Sequence, residues 1–292
     1  MKGLFTALIT PFKNDTIDKE ALKKLIKRQI DAKVDGLVLL GTTGEASTLT
    51  WQEKKEIIQL SSEEACNKLQ LIVGVSGCST QQILTEMKEL YTEAVSGFMA
   101  LSPYYNLPTQ EGLYQHFSML ADAAKAPLIL YNSYKRTGVE IELDTLHKLA
   151  KHPQIKGLKE CVRSYEKLAA MLTELPLDVF MGDDLWTFPG ALMGASGTIS
   201  VTSNVFPDTM RALVTNARSG NSQEAKKYHD SLLPFFLGSS HTTNPLPIKA
   251  AMHYLGFISK TCRMPLTSLT QEEEKQLRRV VDQMELVCKN SA

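Results

Sequence analysis

The chain has 292 residues, of which 43% are hydrophobic and 22% are charged, a composition typical of a globular protein with a large core. Lysines plus arginines and aspartates plus glutamates both number 32, so the net charge is zero. The chain has no basic field to hold a phosphate backbone and no Lys/Arg run interleaved with aromatic residues. We therefore do not expect nucleic acid as a partner.

The cysteines and the hydropathy pattern indicate the cellular compartment in which the protein is expected. The five cysteines are scattered and odd in number, so they do not suggest a disulfide framework. No apolar run approaches membrane-spanning length, and the apolar part of the amino terminus is too short for a signal peptide. We expect a cytoplasmic protein that does not associate with membranes.

Eight short apolar runs alternate with amphipathic helical patterns along the first 220 residues. Each run is nearly continuous in hydrophobicity, as expected of parallel strands that are covered on both faces. This alternation predicts an α/β fold, a (β/α)8 TIM barrel. The runs are Leu4–Ile9, Leu37–Leu40, Leu71–Val75, Phe98–Leu101, Leu128–Tyr131, Ile155–Leu158, Val179–Met181 and Thr198–Val201.

Beyond Gly220 the pattern is only helical, with segments near 222–237, 243–255 and 270–289. We predict a catalytic barrel over residues 1–220 and a C-terminal helical extension over residues 221–292. Capping patterns support the helix boundaries. Capping boxes are expected at Thr50 and Thr270, and N-caps at Asp18 and Ser79.

The turn after the second apolar run reads Gly41-Thr42-Thr43-Gly44-Glu45. TIM-barrel enzymes carry their sites at the carboxyl ends of the strands. Two glycines there expose consecutive backbone N–H groups, which suit a carboxylate or phosphate. The segment is not a Walker loop, because the lysine and the spacing are missing. The alternative interpretation is a plain turn without a ligand, and this segment considered alone favours that interpretation.

Lys159 follows the sixth apolar run, and Tyr131 ends the preceding one. Burial of the lysine stem disfavours the ammonium, and a neutral amine forms Schiff bases with ketones. Tyr131 could pass protons in that reaction, and Arg136 offers a planar fork for a second carboxylate. The alternatives are a solvated strand end for Lys159, a core or rim position for Tyr131 and a surface ion pair for Arg136.

No metal or dinucleotide cofactor is expected. The six histidines show no metal-ligand spacing, and no Gly-x-Gly-x-x-Gly follows a strand. Cys161 shares a face with Lys159 if the strand continues, although a packed small residue is the favoured interpretation.

Motifs distributed over nearly the whole chain resemble the dihydrodipicolinate synthase family, also called 4-hydroxy-tetrahydrodipicolinate synthase, of the pyruvate-dependent class I aldolase superfamily. Their order and spacing match the family, and Arg136 narrows the choice within the superfamily. They are Gly41–Glu45, Tyr104-Tyr105-Asn106, Tyr131-Asn132, Arg136-Thr137-Gly138, Gly157–Glu160, Gly182-Asp183-Asp184, Ile199–Thr202, Asn244–Lys249 and Arg263–Leu266.

The resemblance implies a set of catalytic roles. Lys159 would form the Schiff base with pyruvate, and Tyr131 would donate and accept protons. Thr42 and Tyr105 would extend a proton relay, with Tyr105 reaching in from a neighbouring subunit. No cofactor is implied.

The resemblance also implies the substrate contacts. The backbones of Thr43 and Ile199 would contact pyruvate, within a site that Gly41 and Gly44 help to form. Arg136 would hold the carboxylate of L-aspartate 4-semialdehyde, and the product would be a cyclic precursor of diaminopimelate and lysine. Relatives are mostly homotetramers built as dimers of dimers, and some are homodimers.

This sequence departs from the family pattern at two places near the acceptor. Tyr134 stands where the family usually has proline, and Cys161-Val162-Arg163 stands where small residues and glycine are more common. A sugar-acid lyase resembling N-acetylneuraminate lyase is one rival, although Arg136 does not suit a polyol. A non-catalytic binding barrel is another, although it would not need the relay formed by Lys159, Tyr131 and Thr42.

Overall fold

The computed structural model describes residues 1–290, with side chains described up to residue 284. Its strands in chain order are β1 (Gly3–Ala7), β2 (Phe12–Lys13), β3 (Thr16–Ile17), β4 (Gly36–Leu39), β5 (Gln70–Val75), β6 (Val95–Leu101), β7 (Leu128–Asn132), β8 (Ile155–Glu160), β9 (Asp178–Met181) and β10 (Gly197–Ser200). The strands β2 and β3 form a small antiparallel hairpin. The other eight close into a parallel barrel in the order β1-β10-β9-β8-β7-β6-β5-β4.

Helices cover the barrel and continue beyond it. They are α1 (Lys19–Asp31), α2 (Trp51–Ala65), α3 (Thr80–Leu90), α4 (Gln110–Ala123), α5 (Tyr134–Thr137), α6 (Leu143–Leu149), α7 (Tyr165–Glu174), α8 (Thr187–Leu192), α9 (Pro207–Arg218), α10 (Ser222–Ser239), α11 (Leu246–Tyr254) and α12 (Gln271–Asn290). The predicted TIM barrel is therefore confirmed. The division of the chain at residue 220 stays a prediction.

The expected helix starts are present. Asp18 and Ser79 cap α1 and α3 by accepting from backbone N–H groups, and Thr50 forms a capping box with Glu53 at α2. The Thr270 hydroxyl accepts from the backbone of Glu273, whose carboxylate accepts in return. These bonds satisfy amide groups that a helix start leaves without intrahelical partners.

Several element bounds differ from the sequence-based expectation, and two of these differences lie near the site. The sixth strand continues to Glu160, two residues past the apolar run, because Lys159 and Glu160 still pair with Tyr131 and Asn132. The helix expected from residue 243 begins only at Leu246, with Pro245 at its N-cap.

Strand alternation divides the core into two layers. The barrel interior contains Phe5, Ala7, Val38, Ile72, Met99, Leu101, Ile129, Tyr131, Phe180 and Ile199. The intervening residues, such as Leu130 and Leu158, pack outward against the helices in the main core. Side chains fill the interior, so it is a packed core, and the sites of TIM barrels lie at the carboxyl ends of the strands.

Candidate active site

Lys159 lies on the inner face of β8 near its carboxyl end, where its side chain is only 5% exposed. Its Nζ lies 4.2 Å from the ring centroid of Tyr131. Among the side chains that the structure describes, up to residue 284, no carboxylate comes within ion-pairing distance of this amine. Burial lowers the pKa of Lys159, and the nearby Cys161, Asp183 and Asp184 oppose that shift. A larger share of neutral amine makes Lys159 a better nucleophile than an exposed lysine.

Tyr131 lies on the adjacent strand β7, directly in register with Lys159. Both side chains face inward because paired residues of neighbouring strands share a face. Burial raises the pKa of the Tyr131 phenol well above its ordinary value, with a smaller contribution from Cys161. The phenol therefore keeps its proton near neutral pH and can donate it to a group bound over Lys159.

Cys161 continues the inner face beyond Lys159. Its Sγ lies 4.0 Å from the Tyr131 hydroxyl, and the side chain packs against the barrel interior. Burial raises the pKa of this thiol, so it remains protonated. The favoured interpretation as a packed small residue is thus right about packing, but Cys161 also lines the cavity beside Lys159.

The turn after β4 provides part of the cavity wall. The backbone N–H of Gly44 donates to Gly41 O at 3.1 Å, and that of Glu45 donates to Thr42 O at 3.1 Å. Glu45 adopts a left-handed conformation with φ 54°. Gly41, Thr42 and Thr43 line the cavity, whereas Gly44 lies just outside the lining. A side chain at Gly44 would crowd Leu8 O at 3.1 Å, which explains the second glycine.

A cavity of about 690 Å³ opens above Lys159 and Tyr131. Ala7, Val38 and Met99 form apolar parts of its lining. Asp183 and Asp184 belong to the loop after β9, and both line the cavity.

The two aspartates differ in their surroundings. Asp184 Oδ2 accepts from the backbone N–H groups of Val201 and Thr202 at 3.1 and 2.7 Å, so it braces the loop after β10. Burial raises the pKa of Asp183, and the neighbouring Lys159 cation opposes that rise. The Asp183 carboxylate and the Lys159 ammonium thus favour each other's charged forms.

Arg136 reaches the cavity from the short helix α5, which the sequence did not predict. This helix closes where Gly138, with φ 72°, donates its N–H to Tyr134 O at 2.8 Å. The Thr137 hydroxyl also donates to Ser133 O and Val139 O. These bonds fix the backbone that carries Arg136, although position 134 is not proline.

Besides Gly44, two of the predicted residues, Ile199 and Tyr105, do not line the cavity. Ile199 is 1% exposed and packs in the barrel interior with Tyr131 and Phe180. Tyr105 is 90% exposed and has a left-handed backbone with φ 72°. Its ring therefore points away from this chain's own cavity into the surroundings.

Asn244 belongs to a motif of the family resemblance, but no site role was expected for it. Asn244 lies in the extension and lines the cavity, and its Nδ2 donates to the Thr43 hydroxyl at 2.9 Å. Among the described residues, none forms a hydrogen bond with its buried Oδ1. Because 201 positions separate the two residues, no local pattern could have indicated this contact.

The extension also holds the far side of the same turn. Lys249 is fully buried in α11, where its Nζ pairs with Glu45 and donates to Thr261 O at 2.8 Å. The backbone N–H of Arg263 donates to Glu45 Oε2 at 2.9 Å. A lysine in the otherwise apolar run from Leu246 to Met252 is the sequence signal that could have found this ion pair.

Within the described residues, every helix is too short or too polar to span a membrane.

The sequence of this chain is similar to those of known proteins. A sequence model of the dihydrodipicolinate synthetase family matches residues 1–284. A 4-hydroxy-tetrahydrodipicolinate synthase from Leptospira biflexa serovar Patoc is 38% identical over 272 residues, which cover 92% of each chain.

Solved structures agree with the sequence matches. The dihydrodipicolinate synthase of Aquifex aeolicus superposes with a TM-score of 0.95 at 36% identity, over 98% of this chain and 99% of that one. A chloride-inhibited dihydrodipicolinate synthase from Acinetobacter baumannii, solved in complex with pyruvate, has a TM-score of 0.95 at 34% identity, over 97% and 99% of the chains. The chain belongs to the dihydrodipicolinate synthetase family.

Proposed function

We propose that the protein is a lyase of the class I aldolase type that condenses pyruvate with L-aspartate 4-semialdehyde, a 4-hydroxy-tetrahydrodipicolinate synthase. The observation that carries the proposal is Lys159, a buried amine without a carboxylate partner among the described residues, facing a cavity and lying 4.2 Å from the Tyr131 ring. The names of the relatives and the pyruvate in the Acinetobacter baumannii complex support the same substrates.

In the proposed reaction, neutral Lys159 attacks the keto carbon of pyruvate, and loss of water gives the imine. Tyr131 supplies the proton to the departing oxygen, which suits a phenol whose pKa burial has raised. The pyruvate carboxylate binds the turn at Thr43 and Gly41, near Gly44 and the backbone of Ile199. Removal of a methyl proton then gives the enamine.

The enamine carbon attacks the aldehyde of the second substrate, and the amino group of that substrate displaces Lys159 as the ring closes. Arg136 binds the acceptor carboxylate, for which a planar guanidinium is well shaped. Thr42 and Tyr105 relay protons between Tyr131 and solvent. The product is a precursor of diaminopimelate and lysine, and no cofactor is needed.

We further propose a homotetramer arranged as a dimer of dimers, with a homodimer as the smaller alternative, in the cytoplasm. The support is the exposure of Tyr105, which leaves its ring available to a neighbouring subunit. Sedimentation velocity measures the assembly. A monomer that retains full activity contradicts the relay role of Tyr105.

Borohydride trapping tests the chemistry. Treatment with pyruvate and borohydride should add one reduced pyruvate to the peptide that contains Lys159, as mass spectrometry would show. An adduct on another lysine, or none, contradicts the proposal. Pyruvate plus aspartate semialdehyde should give product, whereas sialic acid should not be cleaved. Cleavage of sialic acid favours the lyase rival, and trapping without either turnover favours the binding barrel.

A further inference from the structure

The mouth of the cavity carries a guanidinium that the proposed reaction does not use. Arg163 follows β8 by three residues and lines the same cavity as Lys159 and Arg136. L-Aspartate 4-semialdehyde has a single carboxylate, and the proposed function assigns it to Arg136. Arg163 therefore faces the cavity without an assigned anion.

Tyr134 holds Arg163 in place. The Arg163 Cζ lies 4.2 Å from the centroid of the Tyr134 ring, a cation–π contact. A guanidinium above a ring face still presents its N–H donors at its edge. In the part of the chain that the structure describes, neither Arg163 nor Arg136 has a carboxylate within ion-pairing distance. Both cations are thus available to a ligand.

The two guanidiniums come from neighbouring loops. Tyr134 and Arg136 belong to α5, which follows β7, and Arg163 lies in the segment after β8. The Arg163–Tyr134 contact therefore joins the two loops at the mouth. A ligand above the Lys159 imine can meet one guanidinium from each loop.

The size of the cavity leaves room for such a ligand. Its volume of about 690 Å³ falls in the range that accommodates drug-sized molecules, and a three-carbon keto acid with a four-carbon aldehyde is smaller. Of the two aspartates that line the cavity, Asp184 already accepts hydrogen bonds from two backbone N–H groups.

We propose that Arg163, held by Tyr134, forms a second anion-binding subsite at the cavity mouth, and that Arg163 and Arg136 together bind short aliphatic dicarboxylates. These ligands compete with the acceptor substrate. The inference rests on the proposed function for the role of Arg136. It adds the chemical class of a second ligand for the same site.

Direct binding tests the subsite without turnover. Calorimetry compares glutarate with pentanoate, which has the same chain length and one carboxylate fewer. The wild-type protein should bind glutarate about two- to fivefold more tightly, as expected for one exposed charge pair, and added salt should reduce the difference. Arg163→Ala should abolish this preference. Circular dichroism and thermal melting verify that each variant is folded.

Three further variants separate stacking from net charge. Tyr134→Phe keeps the ring and should keep the preference, whereas Tyr134→Ala should reduce it. Lys135→Gln removes another cation lining the same cavity and should leave the preference intact.

The proposal is overturned if the wild type binds the two acids equally, if Arg163→Ala keeps the preference, or if Lys135→Gln removes it as completely. A full preference in Tyr134→Ala overturns the holding role of Tyr134. Failure of pyruvate trapping or condensation contradicts the proposed function instead, because calorimetry requires neither step.

Discussion

Lys159 and Lys249 are both buried lysines with an amine 4.2 Å from the centroid of an aromatic ring, yet their surroundings differ. Burial lowers the pKa of both, and at Lys249 the Glu45 carboxylate opposes the shift. Lys249 is sealed at the junction between the extension and the barrel, where it pairs with Glu45 and a backbone carbonyl. Lys159 faces a cavity and has no such partner among the side chains described up to residue 284. Burial alone therefore does not make a lysine reactive; an open face and a missing counter-ion are also needed.

The largest effect should follow from removing the amine that faces the cavity. Lys159→Met should abolish pyruvate trapping and lower turnover by at least about a thousandfold, because the covalent nucleophile is lost. Lys156→Met is the matched control, since Lys156 is an exposed lysine on the same strand. Initial rates and intact mass measure both effects. Normal turnover in Lys159→Met would transfer the reactive role to another residue.

At the junction between the extension and the barrel, we expect a substitution to reduce stability. Lys249→Met should lower the free energy of unfolding by about 3–5 kcal/mol, because it leaves the Glu45 carboxylate buried without its counter-ion. Denaturant unfolding measures the change. The double variant Glu45→Gln/Lys249→Met removes both charges and should recover part of the loss. A double variant less stable than Lys249→Met alone would contradict this account.

Glu160 adjoins Lys159 in the sequence but lies on the opposite face of β8. Burial raises its pKa to about 8, although the amide of Asn132 donates to it at 2.9 Å and opposes the rise. Between the unfolded pKa near 4.5 and about 8, the folded state binds the extra proton, so stability falls as pH rises.

Glu160→Gln cannot titrate and mimics the protonated form. Relative to the wild type, it should gain stability as pH rises from about 5 to 8, by at most about 1.4 kcal/mol per pH unit. Denaturant midpoints across that range provide the measurement. Taking the difference between the two proteins cancels the other titrating groups. Parallel curves would show that Glu160 is ionised in the folded protein.

The smallest predicted effect concerns Asn244, which connects the junction to the cavity. Asn244→Ala removes the hydrogen bond to Thr43 and should raise the KM for pyruvate about two- to tenfold, with kcat nearly unchanged. Thr43→Ser keeps the hydroxyl and is the control, whereas Thr43→Val should match Asn244→Ala. If the losses from Asn244→Ala and Thr43→Val simply add in the double variant, this hydrogen bond does not position the turn.

The sequence predicted those parts of the molecule that depend on local pattern. The eight apolar runs gave the barrel strands, and the spacing of Tyr131 and Lys159 on consecutive runs placed them side by side. Both follow from strand periodicity and the order of parallel strands.

Contacts across the chain could not be predicted in this way. The Asn244–Thr43 and Lys249–Glu45 pairs depend on how the extension packs against the barrel. Lys249 is distinctive as a charge in an apolar run, but no local pattern indicates Glu45 as its partner. The inward direction of Cys161 depended on a strand end two residues beyond the apolar run. Helix α5 was not predicted because its four residues are too few to show a helical period in hydrophobicity.

The support that α11 and the following loop give to Glu45 bears on protein engineering. A chain shortened to end at Gly220 would keep every strand of the barrel. It would nevertheless lose Asn244, Lys249 and Arg263, which hold the turn after β4 from outside. A designer who transplants this chemistry into another barrel must therefore carry over a buttress from outside the sheet as well as the residues that face the substrate.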